Sequence, residues 1–508
     1  MKLEWLLYLP AAIAAALSGL RWLRVAQREH YIPGSLLTFH SIWISASRSN
    51  TLLRVVGAIT ALLSFRWSGL TLVTFAVVGV APLGLSIRGR SSPLRWTRRL
   101  KTLAAVWAIL MVTPVLVGAF YGIGPSVAAA ALVFTPHSMD VALLITRPIE
   151  RRIGRKYVRQ AQEKLERVRP VVVAVTGSYG KTSTKEYIRH LLSGDHQVVA
   201  SPASFNNTPG LARAINEHLV PGTDVFVAEM GAYGPGEIAE MCSWIKPSIG
   251  VITAIGPVHL ERFRSLERTA KAKGEILSGC ETGVVNADEP VLVPIAASFV
   301  ERGGTLVRCS THDLEAEVCV LSVDGGLEVR VGGEPIGAIE GSTGFPMNIA
   351  CAVGVAMALN TQPWLAAKLL STLPAVEHRQ NVTTNTNGVV VIDDSYNSNP
   401  AGAAAALELL LRHASAEGRR VVVTPGMVEM GKLQHEANRE FAAKAARAAT
   451  NLVIVGRTNR RALLEGATGG NADVLQVPTR EDATAWAREH LDPGDVILYE
   501  NDLPDHYP

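Results

Sequence analysis

Long apolar runs dominate the first third of this chain and set the strongest limit on how it can fold. The first run, residues 3–23, has about the length of one bilayer span and is closed by Arg21 and Arg24. Further runs cover residues 52–65, 69–87, 102–120 and 126–146. Several of these runs reach the length of a bilayer span, so we expect a transmembrane helical domain of about five spans over residues 1–146. The run at 52–65 is short and carries Arg54 near one end, and a re-entrant or interfacial segment is the alternative for it.

The distribution of charge predicts how this domain is oriented. Residues 1–169 hold 22 Lys/Arg and 6 Asp/Glu, a net of +16, whereas the rest of the chain holds 27 and 39, a net of −12. The basic residues flank the apolar runs, which favours membrane attachment over nucleic-acid binding. By the positive-inside rule we expect a multi-pass protein of a bacterial-type inner membrane, with cytoplasmic domains after residue 147. A buried helical core in a soluble protein is the alternative.

Residues 147–169 combine helical spacing with dense charge, which predicts a basic linker helix. Two interpretations stay open for it. The helix is either a solvated linker or an interfacial helix on anionic headgroups, where each nearby Lys or Arg contributes roughly 1 kcal/mol.

The segment VVVAVTGSYGKTST, residues 171–184, is typical of a phosphate-binding loop between a buried parallel strand and a helix. Its glycines permit a tight turn whose N–H groups face phosphates. The ammonium of Lys181 suits the β- and γ-phosphates, and the hydroxyl of Thr182 suits Mg²⁺. We expect nucleotide contacts from Gly177, Ser178, Tyr179, Gly180, Lys181, Thr182 and Ser183. A glycine turn with a chance lysine is the alternative.

Seven further segments follow the loop in order: SFNNTPG, VFVAEMGAYGPGEI, AIGPVHLERFRSLE, KAKGEI, VVNADEP, EHRQN and VIDDSYNSNPAG. With the loop, this series resembles the Mur ligases, the ATP-dependent amide ligases of peptidoglycan synthesis, over about residues 170–500. Within the family it is most similar to the member that adds D-alanyl-D-alanine to a UDP-linked muramyl tripeptide. The resemblance implies a P-loop central domain over residues 170–342 and a Rossmann-like C-terminal domain over residues 343–508.

The resemblance also implies catalytic and metal-binding residues. Glu229 ends an apolar strand and matches a glutamate that ligates Mg²⁺ beside Thr182. His259 matches a ligand of a second metal ion, and Lys273 matches a lysine that is carbamylated in much of the family and then ligates that metal. Lys181, His259 and Lys273 are the expected catalytic residues. A polar strand end, a structural histidine and a helix-surface lysine are the alternatives for Glu229, His259 and Lys273.

Other matches imply contacts with the nucleotide. They are Asn348, from the family's adenine motif, Arg379, which reaches the ATP phosphates, and Asp394 and Asn397, at the nucleotide or the hinge. Helix capping is the alternative for Asp394 and Asn397.

Two segments are expected to contact the substrates. The loop with Asn206, Asn207 and Thr208 touches the acceptor in the family, although turn chemistry alone also explains Asn-Asn-Thr-Pro-Gly. Glu429 and His435 are expected near the incoming amine. The family's Lys-Gly-Ser ending of the last strand is absent, which leaves the identity of the amine open.

These expectations define a membrane-anchored Mur-type ligase: an α-helical transmembrane domain followed by two α/β domains. It would use ATP and Mg²⁺ to activate a small-molecule or lipid-linked carboxylate as an acyl phosphate and join it to an amino-acid or dipeptide amine. Membrane segments stand where the family has its UDP-binding domain, so a membrane-delivered carboxylate is the simpler expectation. A polyglutamate-type ligase and an ATP-driven membrane switch or transporter are the alternatives. No nucleic-acid partner is expected, and the oligomeric state is left open.

Overall fold

The computed structural model describes residues 4–89, 93–202, 204–258, 260–340, 345–374, 380–396, 398–504 and 506–508. The chain forms two compact units. The first comprises Met1–Ile153, Gly456–Thr458 and Leu503–Pro508. The second comprises Gly154–Val455 and Asn459–Asp502.

The first unit is helical. Its helices are α1 (Tyr8–Arg28), α2 (Ser35–Ser45), α3 (Arg48–Leu63), α4 (Leu70–Val80), α5 (Arg98–Phe120), α6 (Gly124–Val133) and the first part of α7 (Thr135–Val168). Side-chain caps start two of them, because the hydroxyls of Ser47 and Thr97 accept the first-turn N–H groups of Asn50 and Leu100. Large apolar side chains such as Trp22 fill the centre of the unit.

Fewer of these helices reach spanning length than the five runs predict. Among the described residues, Trp5–Arg28 and Arg98–Phe120 are long and apolar enough to cross a membrane. Helices α6 and α7 pass the same test only as a pair bent by 78°, which raises the number to three if the pair is one span. Helices α3 and α4 have only 16 and 11 residues. The apolar runs therefore mark helices correctly, but the runs at 52–65 and 69–87 give helices too short to span, and a bend between α6 and α7 divides the run at 126–146.

The predicted linker helix is the second half of α7, and it belongs partly to the α/β unit. Ala161 and Leu165 are buried in a core cluster of that unit. The ammonium of Lys164 donates to the carbonyl of Asn216 at 2.8 Å, and the amide of Asn216 donates to the carbonyl of Tyr157 at 3.0 Å. This part of the helix is therefore packed, which excludes a fully solvated linker.

The end of the chain belongs to the helical unit, although the sequence assigns residues 343–508 to the C-terminal domain. The carbonyl of His506 accepts from the indole of Trp43 at 2.9 Å, and its ring nitrogen lies 3.0 Å from the carboxylate of Glu29. The rings of His506 and Tyr507 pack on Phe39 at 4.7 and 4.9 Å between centroids. Aromatic packing and a buried polar pair thus hold the tail.

The α/β unit begins with a mixed sheet. Its strands are β1 (Val171–Thr176), β2 (Val198–Ala200), β3 (Val225–Glu229), β4 (Ile249–Ile252), β5 (Thr282–Asn286), β6 (Thr305–Ser310), β7 (Val318–Val323), β8 (Gly326–Val331) and β9 (Glu334–Glu340). The accompanying helices are α8 (Lys181–Leu192), α9 (Thr208–His218), α10 (Glu237–Ile245), α11 (Leu260–Phe263), α12 (Leu266–Gly274), α13 (Val293–Glu301), α14 (Pro346–Ala358) and α15 (Pro363–Leu370). Over the described residues the strand order is β2-β3-β1-β4-β5-β6-β7-β8-β9.

The order places β1 between β3 and β4, both parallel to it. Val175 is in register with Glu229 on one side and with Val251 on the other. The loop after β1 therefore opens between the ends of two neighbouring strands, where open α/β sheets bind ligands.

A second sheet follows. Its strands are β10 (Asn381–Thr384), β11 (Val390–Asp394), β12 (Arg420–Thr424), β13 (Asn451–Val455), β14 (Asp473–Val477) and β15 (Val496–Glu500). Its helices are α16 (Pro400–Arg412), α17 (Gln434–Ala448), α18 (Arg460–Ala467) and α19 (Arg480–His490). The order in the described part is β10-β11-β15-β12-β13-β14, with β10 antiparallel and the rest parallel. This is the Rossmann-like sheet that the sequence predicts.

Helix α14 packs on the first sheet, not on the second. Ile349 and Val353 are buried in one cluster with Val173 of β1 and Ile188 of α8. The core of the first sheet thus extends past residue 342, where the sequence places the domain boundary. The helix is apolar on most of its surface, which is typical of a buried helix and does not indicate which sheet covers it.

Candidate active site

The phosphate loop runs from Gly177 to Gly180, between β1 and α8. Both glycines have positive φ, +158° and +79°, and a Cβ at either would collide with a neighbouring side chain, Thr253 for Gly177 and Asn348 for Gly180. Only glycine suits both the backbone and the space at Gly180. Helix α8 begins directly after it, so the helix N-terminus faces the loop, an arrangement suited to anions.

The segment after β4 holds this loop in place. The N–H of Ser178 donates to the carbonyl of Ala254 at 2.7 Å, and its hydroxyl donates to the carbonyl of Gly256 at 3.2 Å. The hydroxyl of Thr253 donates to the carbonyl of Tyr179. The loop is therefore fixed by hydrogen bonds to a second strand end.

Tyr179 and Lys181 have different positions on this loop. The phenol of Tyr179 is buried, its ring lies where a Cβ on Gly256 would be, and its hydroxyl has no hydrogen-bond partner among the described residues. Burial, and then Glu289, raise the pKa of Tyr179. The ammonium of Lys181 donates to the carbonyls of Gly177 and Ser178 at 2.8 and 3.4 Å. Tyr179 thus packs beneath the loop, whereas Lys181 lies over its backbone.

Glu229 lies at the end of β3 within a network of donors. Its carboxylate accepts from the hydroxyl of Thr182 at 3.0 Å and from the amide of Asn206 at 3.2 Å. The ammonium of Lys185 lies 3.4 Å from the same carboxylate and donates to the carbonyl of Ser201 at 2.8 Å. The predicted pair of Thr182 and Glu229 therefore forms, and Asn206 joins it.

Lys185 is the residue that sequence reasoning missed. Its side chain is fully buried, and an ammonium without a negative partner would be costly there. The one available signal is its position one helical turn after Thr182, which places both side chains on the same face of α8. Lys185 balances the charge of Glu229 inside the protein.

Asn206 and Asn207 have separate roles in the structure. Asn206 reaches Glu229, as described above, whereas the side chain of Asn207 caps α9 by accepting the N–H of Gly210 at 2.9 Å. Thr208 is the first residue of that helix. Asn207 therefore has the structural role of a helix cap, whereas Asn206 contacts the carboxylate at the end of β3.

Lys273 is buried in α12, with 3% of its surface exposed, which excludes the ordinary surface lysine. Burial, and then the neighbouring Lys181 ammonium, lower the pKa of Lys273 well below its usual value of 10.5. Its nitrogen lies 6.0 Å from the ring centroid of Phe263. The structure thus brings a buried lysine, whose neutral form is favoured by burial, close to the phosphate loop.

Asn348 contacts the phosphate loop, because its amide occupies the space next to Gly180. His259, Arg379 and Asn397 lie outside the described residues. Over the remainder of the chain no group of three or more His, Cys, Asp and Glu side chains is placed to hold a metal ion.

In the second sheet, Asp394 ends β11 in register with Glu500 of β15. The carboxylate of Asp394 accepts the N–H of Gln380 at 3.3 Å. Glu500 accepts from the hydroxyls of Thr424, at 2.6 Å, and Ser398. Sequence reasoning missed Glu500, which is a second buried carboxyl group at a strand end.

Among the described residues, no contact joins Glu429 and His435, the two residues expected near the incoming amine. Glu429 has a positive φ of 64°, which is uncommon outside glycine. The ring of His435 lies 3.2 Å from the carboxylate of Glu465, and both side chains are about half exposed. His435 is thus part of a surface pair with α18.

The fold and this site define a P-loop α/β enzyme with a second, Rossmann-like sheet. The chain matches the Mur ligase middle domain over residues 175–323 and the Mur ligase glutamate ligase domain over residues 378–499. It belongs to the Mur ligase family, and as a member it is an ATP-dependent, ADP-forming acid–amino-acid ligase.

Named relatives agree with this assignment. The UDP-N-acetylmuramoyl-tripeptide–D-alanyl-D-alanine ligase of Mycobacterium tuberculosis is 32% identical over 365 residues, which cover 64% of this chain and 69% of the relative. The Escherichia coli enzyme of the same name is 30% identical, with 63% and 71% covered. The MurF ligase of Thermotoga maritima in complex with ADP has a TM-score of 0.58 and 25% identity, with 69% and 80% covered.

Proposed function

We propose that this Mur ligase activates a carboxylate as an acyl phosphate and joins it to the amine of an amino acid or dipeptide, as a membrane-anchored enzyme of cell-envelope precursor synthesis. The observation that carries the proposal is the grouping of Thr182, Glu229 and buried Lys273 around the phosphate loop. The carboxylate oxygen would attack the γ-phosphorus of ATP with release of ADP. The amine would then attack the acyl carbon with release of phosphate and a proton.

The residues present fit a magnesium ion at Thr182 and Glu229. Both are hard oxygen donors, 3.0 Å apart at the mouth of a loop suited to phosphates. Mg²⁺ is usually held by one or two protein oxygens plus substrate phosphates, so a larger protein cluster is not required. When bound, the ion neutralises charge that develops on the transferred phosphoryl group. Lys181 would supply a further positive charge on the same phosphates.

Lys273 fits the carbamylated lysine that the family resemblance implies. A neutral amine can attack carbon dioxide, lose one proton and become a carbamate, whereas an ammonium cannot. Burial and the Lys181 ammonium both lower the pKa of Lys273, and both therefore favour its neutral form. A carbamate is negatively charged, so the Lys181 ammonium would attract it, whereas the same ammonium would repel a protonated Lys273. With His259 it would form the ligand set for a second metal ion.

The substrates are proposed by class. The relatives named above act on a UDP-linked muramyl tripeptide and D-alanyl-D-alanine, as their names state. In this chain the helical unit precedes the central domain, so we propose a membrane-delivered carboxylate bound near Asn206. A folate-type ligase, Escherichia coli FolC, has a similar fold at a TM-score of 0.54 and 16% identity. That likeness keeps a polyglutamate-type ligase as the second candidate, with an amino acid as the amine.

Membrane anchoring is supported by the two helices of spanning length and by the net charge of +16 over residues 1–169. The basic residues between the apolar runs favour a cytoplasmic position for the α/β unit, where ATP is present.

The test is product analysis with the full-length protein in membranes. ATP and candidate carboxylate and amine pairs are supplied, ADP release is followed, and products are identified by mass spectrometry. We expect ADP release to require both substrates and to be lost in Lys181→Ala. It should be kept in Lys271→Ala, because Lys271 is an exposed lysine of α12. ATP hydrolysis that responds to transported solutes and never to carboxylate–amine pairs would instead support the switch or transporter.

A further inference from the structure

The helical unit contains a cavity that the ligase chemistry does not use. Its volume is about 60 Å³, which is room for one small polar group or a few waters. Side chains from α1 to α4 and from the α6–α7 junction line it. The polar and aromatic residues that matter for recognition are Trp22, His40, Trp43, Asn50 and Arg54.

Two of the lining side chains, Arg54 and His40, carry N–H groups that can donate hydrogen bonds. Arg54 uses one guanidinium N–H to donate to the carbonyl of Val133, and its guanidinium lies 5.9 Å from the ring centroid of Phe134. His40 is 9% exposed and stacks on Trp22 at 5.6 Å between centroids. Its Nδ1 is buried with no hydrogen-bond partner in the described part of the chain. A buried polar atom of this kind indicates a missing partner.

Asn50, another polar residue of the cavity lining, is already satisfied. The amide of Asn50 donates to the carbonyl of Trp43 at 3.1 Å and accepts the N–H of Leu83 at 2.8 Å. No acidic residue is among the described residues that line the cavity. The nearest acid along α7, Asp140, accepts the N–H groups of Gly34 and Leu37 at 2.8 and 3.1 Å. The charge of Arg54 is therefore not balanced by a carboxylate in the cavity lining.

The remaining walls are apolar and select an amphiphilic anion over a free one. Val77 and Val78 of α4 and Leu132 of α6 contribute hydrocarbon surface. A bare phosphate would be desolvated against these walls without a hydrophobic gain. A lipid would place its chain on them and its headgroup at Arg54 and His40. Basic pockets between membrane helices bind lipid headgroups in this way.

We propose that this cavity binds an anionic membrane lipid, whose headgroup accepts hydrogen bonds from Arg54 and His40. The site is separate from the ligase site, and its test measures binding without ATP or substrates. Failure of this proposal would therefore leave the proposed ligase function untouched.

The experiment uses full-length protein in detergent micelles with equal amounts of phosphatidylglycerol and phosphatidylcholine, and counts retained lipid by native mass spectrometry. We expect the wild type to retain phosphatidylglycerol in preference. Arg54→Gln should reduce that retention about tenfold, the usual effect of one charge-assisted hydrogen bond. His40→Phe keeps an aromatic ring on Trp22, removes the ring nitrogens and should reduce retention several-fold. Arg66→Gln, an exposed arginine just after α3, is the matched control and should match the wild type.

Melting temperatures of the variants separate a loss of lipid binding from a loss of folding. If Arg54→Gln unfolds, lipid retention by His40→Phe tests the proposal instead. Equal retention of both lipids by the wild type would overturn the proposal. Unchanged retention in both Arg54→Gln and His40→Phe would do the same. Displacement of phosphatidylglycerol by inorganic phosphate alone would show that the occupant is a free anion.

Discussion

Glu229 and Glu500 occupy equivalent places in the two sheets of the α/β unit. Each is the last residue of a parallel strand, and the two are 2% and 1% exposed. Lys185, Thr182 and Asn206 surround Glu229, so a cation balances its carboxylate. Around Glu500 the neighbours are the hydroxyls of Thr424 and Ser398 and the acidic Asp394.

This difference in neighbours changes the chemistry. Burial, opposed by the hydrogen bond from Thr424 and assisted by Asp394, raises the pKa of Glu500 from its usual 4.5 to about 8. Glu500 is therefore protonated at neutral pH, whereas Glu229 has the side chain of Lys185 as its neighbour. The same residue type at the same kind of strand end is suited to a metal ion in one sheet and to structural hydrogen bonding in the other.

The largest expected effect comes from removing the charge of Glu229. Glu229→Gln should lower the rate of ADP release about 10²–10³-fold, because it removes the negative oxygen expected to hold Mg²⁺. Glu500→Gln is the matched control and should stay within about threefold of the wild type at pH 7, since an amide closely replaces a protonated carboxyl group. Steady-state kinetics of both variants measure the contrast. Equal losses of activity in the two variants would contradict the difference between Glu229 and Glu500.

Variants of Lys273 test whether this buried lysine of α12 is carbamylated and contributes to activity. Lys273→Ala should lower activity at least about 100-fold if the carbamate contributes as an oxyanion-stabilising donor does. Wild-type activity should fall in buffers depleted of carbon dioxide and return with bicarbonate. Lys271→Ala is the exposed control and should behave as the wild type in both buffers. Activity that is independent of bicarbonate in the wild type would contradict carbamylation.

The raised pKa of Glu500 predicts a pH dependence of stability. Between its unfolded value of 4.5 and its folded value of about 8, the folded state holds one more proton than the unfolded state. Stability therefore falls as pH rises through this window, by up to about 1.4 kcal/mol per pH unit, and levels off above pH 8. Melting temperatures at pH 5 to 8 should fall less steeply in Glu500→Gln than in the wild type. Parallel curves would show that Glu500 does not hold this proton.

The smallest effects separate two adjacent asparagines. Asn207→Ala should cost about 1 kcal/mol of stability through the lost cap of α9, with little change in kcat. Asn206→Ala should lower kcat about tenfold with a smaller change in stability, because Asn206 donates to Glu229. Melting temperature and kcat of both variants are compared. A loss of kcat in Asn207→Ala together with a loss of stability in Asn206→Ala would contradict these two roles.

Local sequence signals predicted the phosphate loop, the strand that ends in Glu229 and the Rossmann-like sheet. Each of these depends on neighbouring residues: β-branched runs, glycines at a turn and strand ends that share one edge. The number of spanning helices was predicted less well, because hydropathy marks an apolar run but not the turn that divides it. The burial of Lys273 gave no local signal, and the only signal for Lys185 was its position one helical turn after Thr182.

By itself, the sequence determined a basic, helical first third and a nucleotide-binding α/β remainder with ordered ligase motifs. The helical third and the phosphate loop follow from composition, periodicity and spacing, which act over one element at a time, whereas the ligase motifs follow from the resemblance to a known family. The tertiary structure decided that α14 packs on the first sheet, that the chain's last residues lie among the N-terminal helices, and that Glu229 has a lysine as its neighbour whereas Glu500 has an aspartate. Such features depend on which distant side chains share a buried space, because burial and neighbouring charges set the cost of ionisation there.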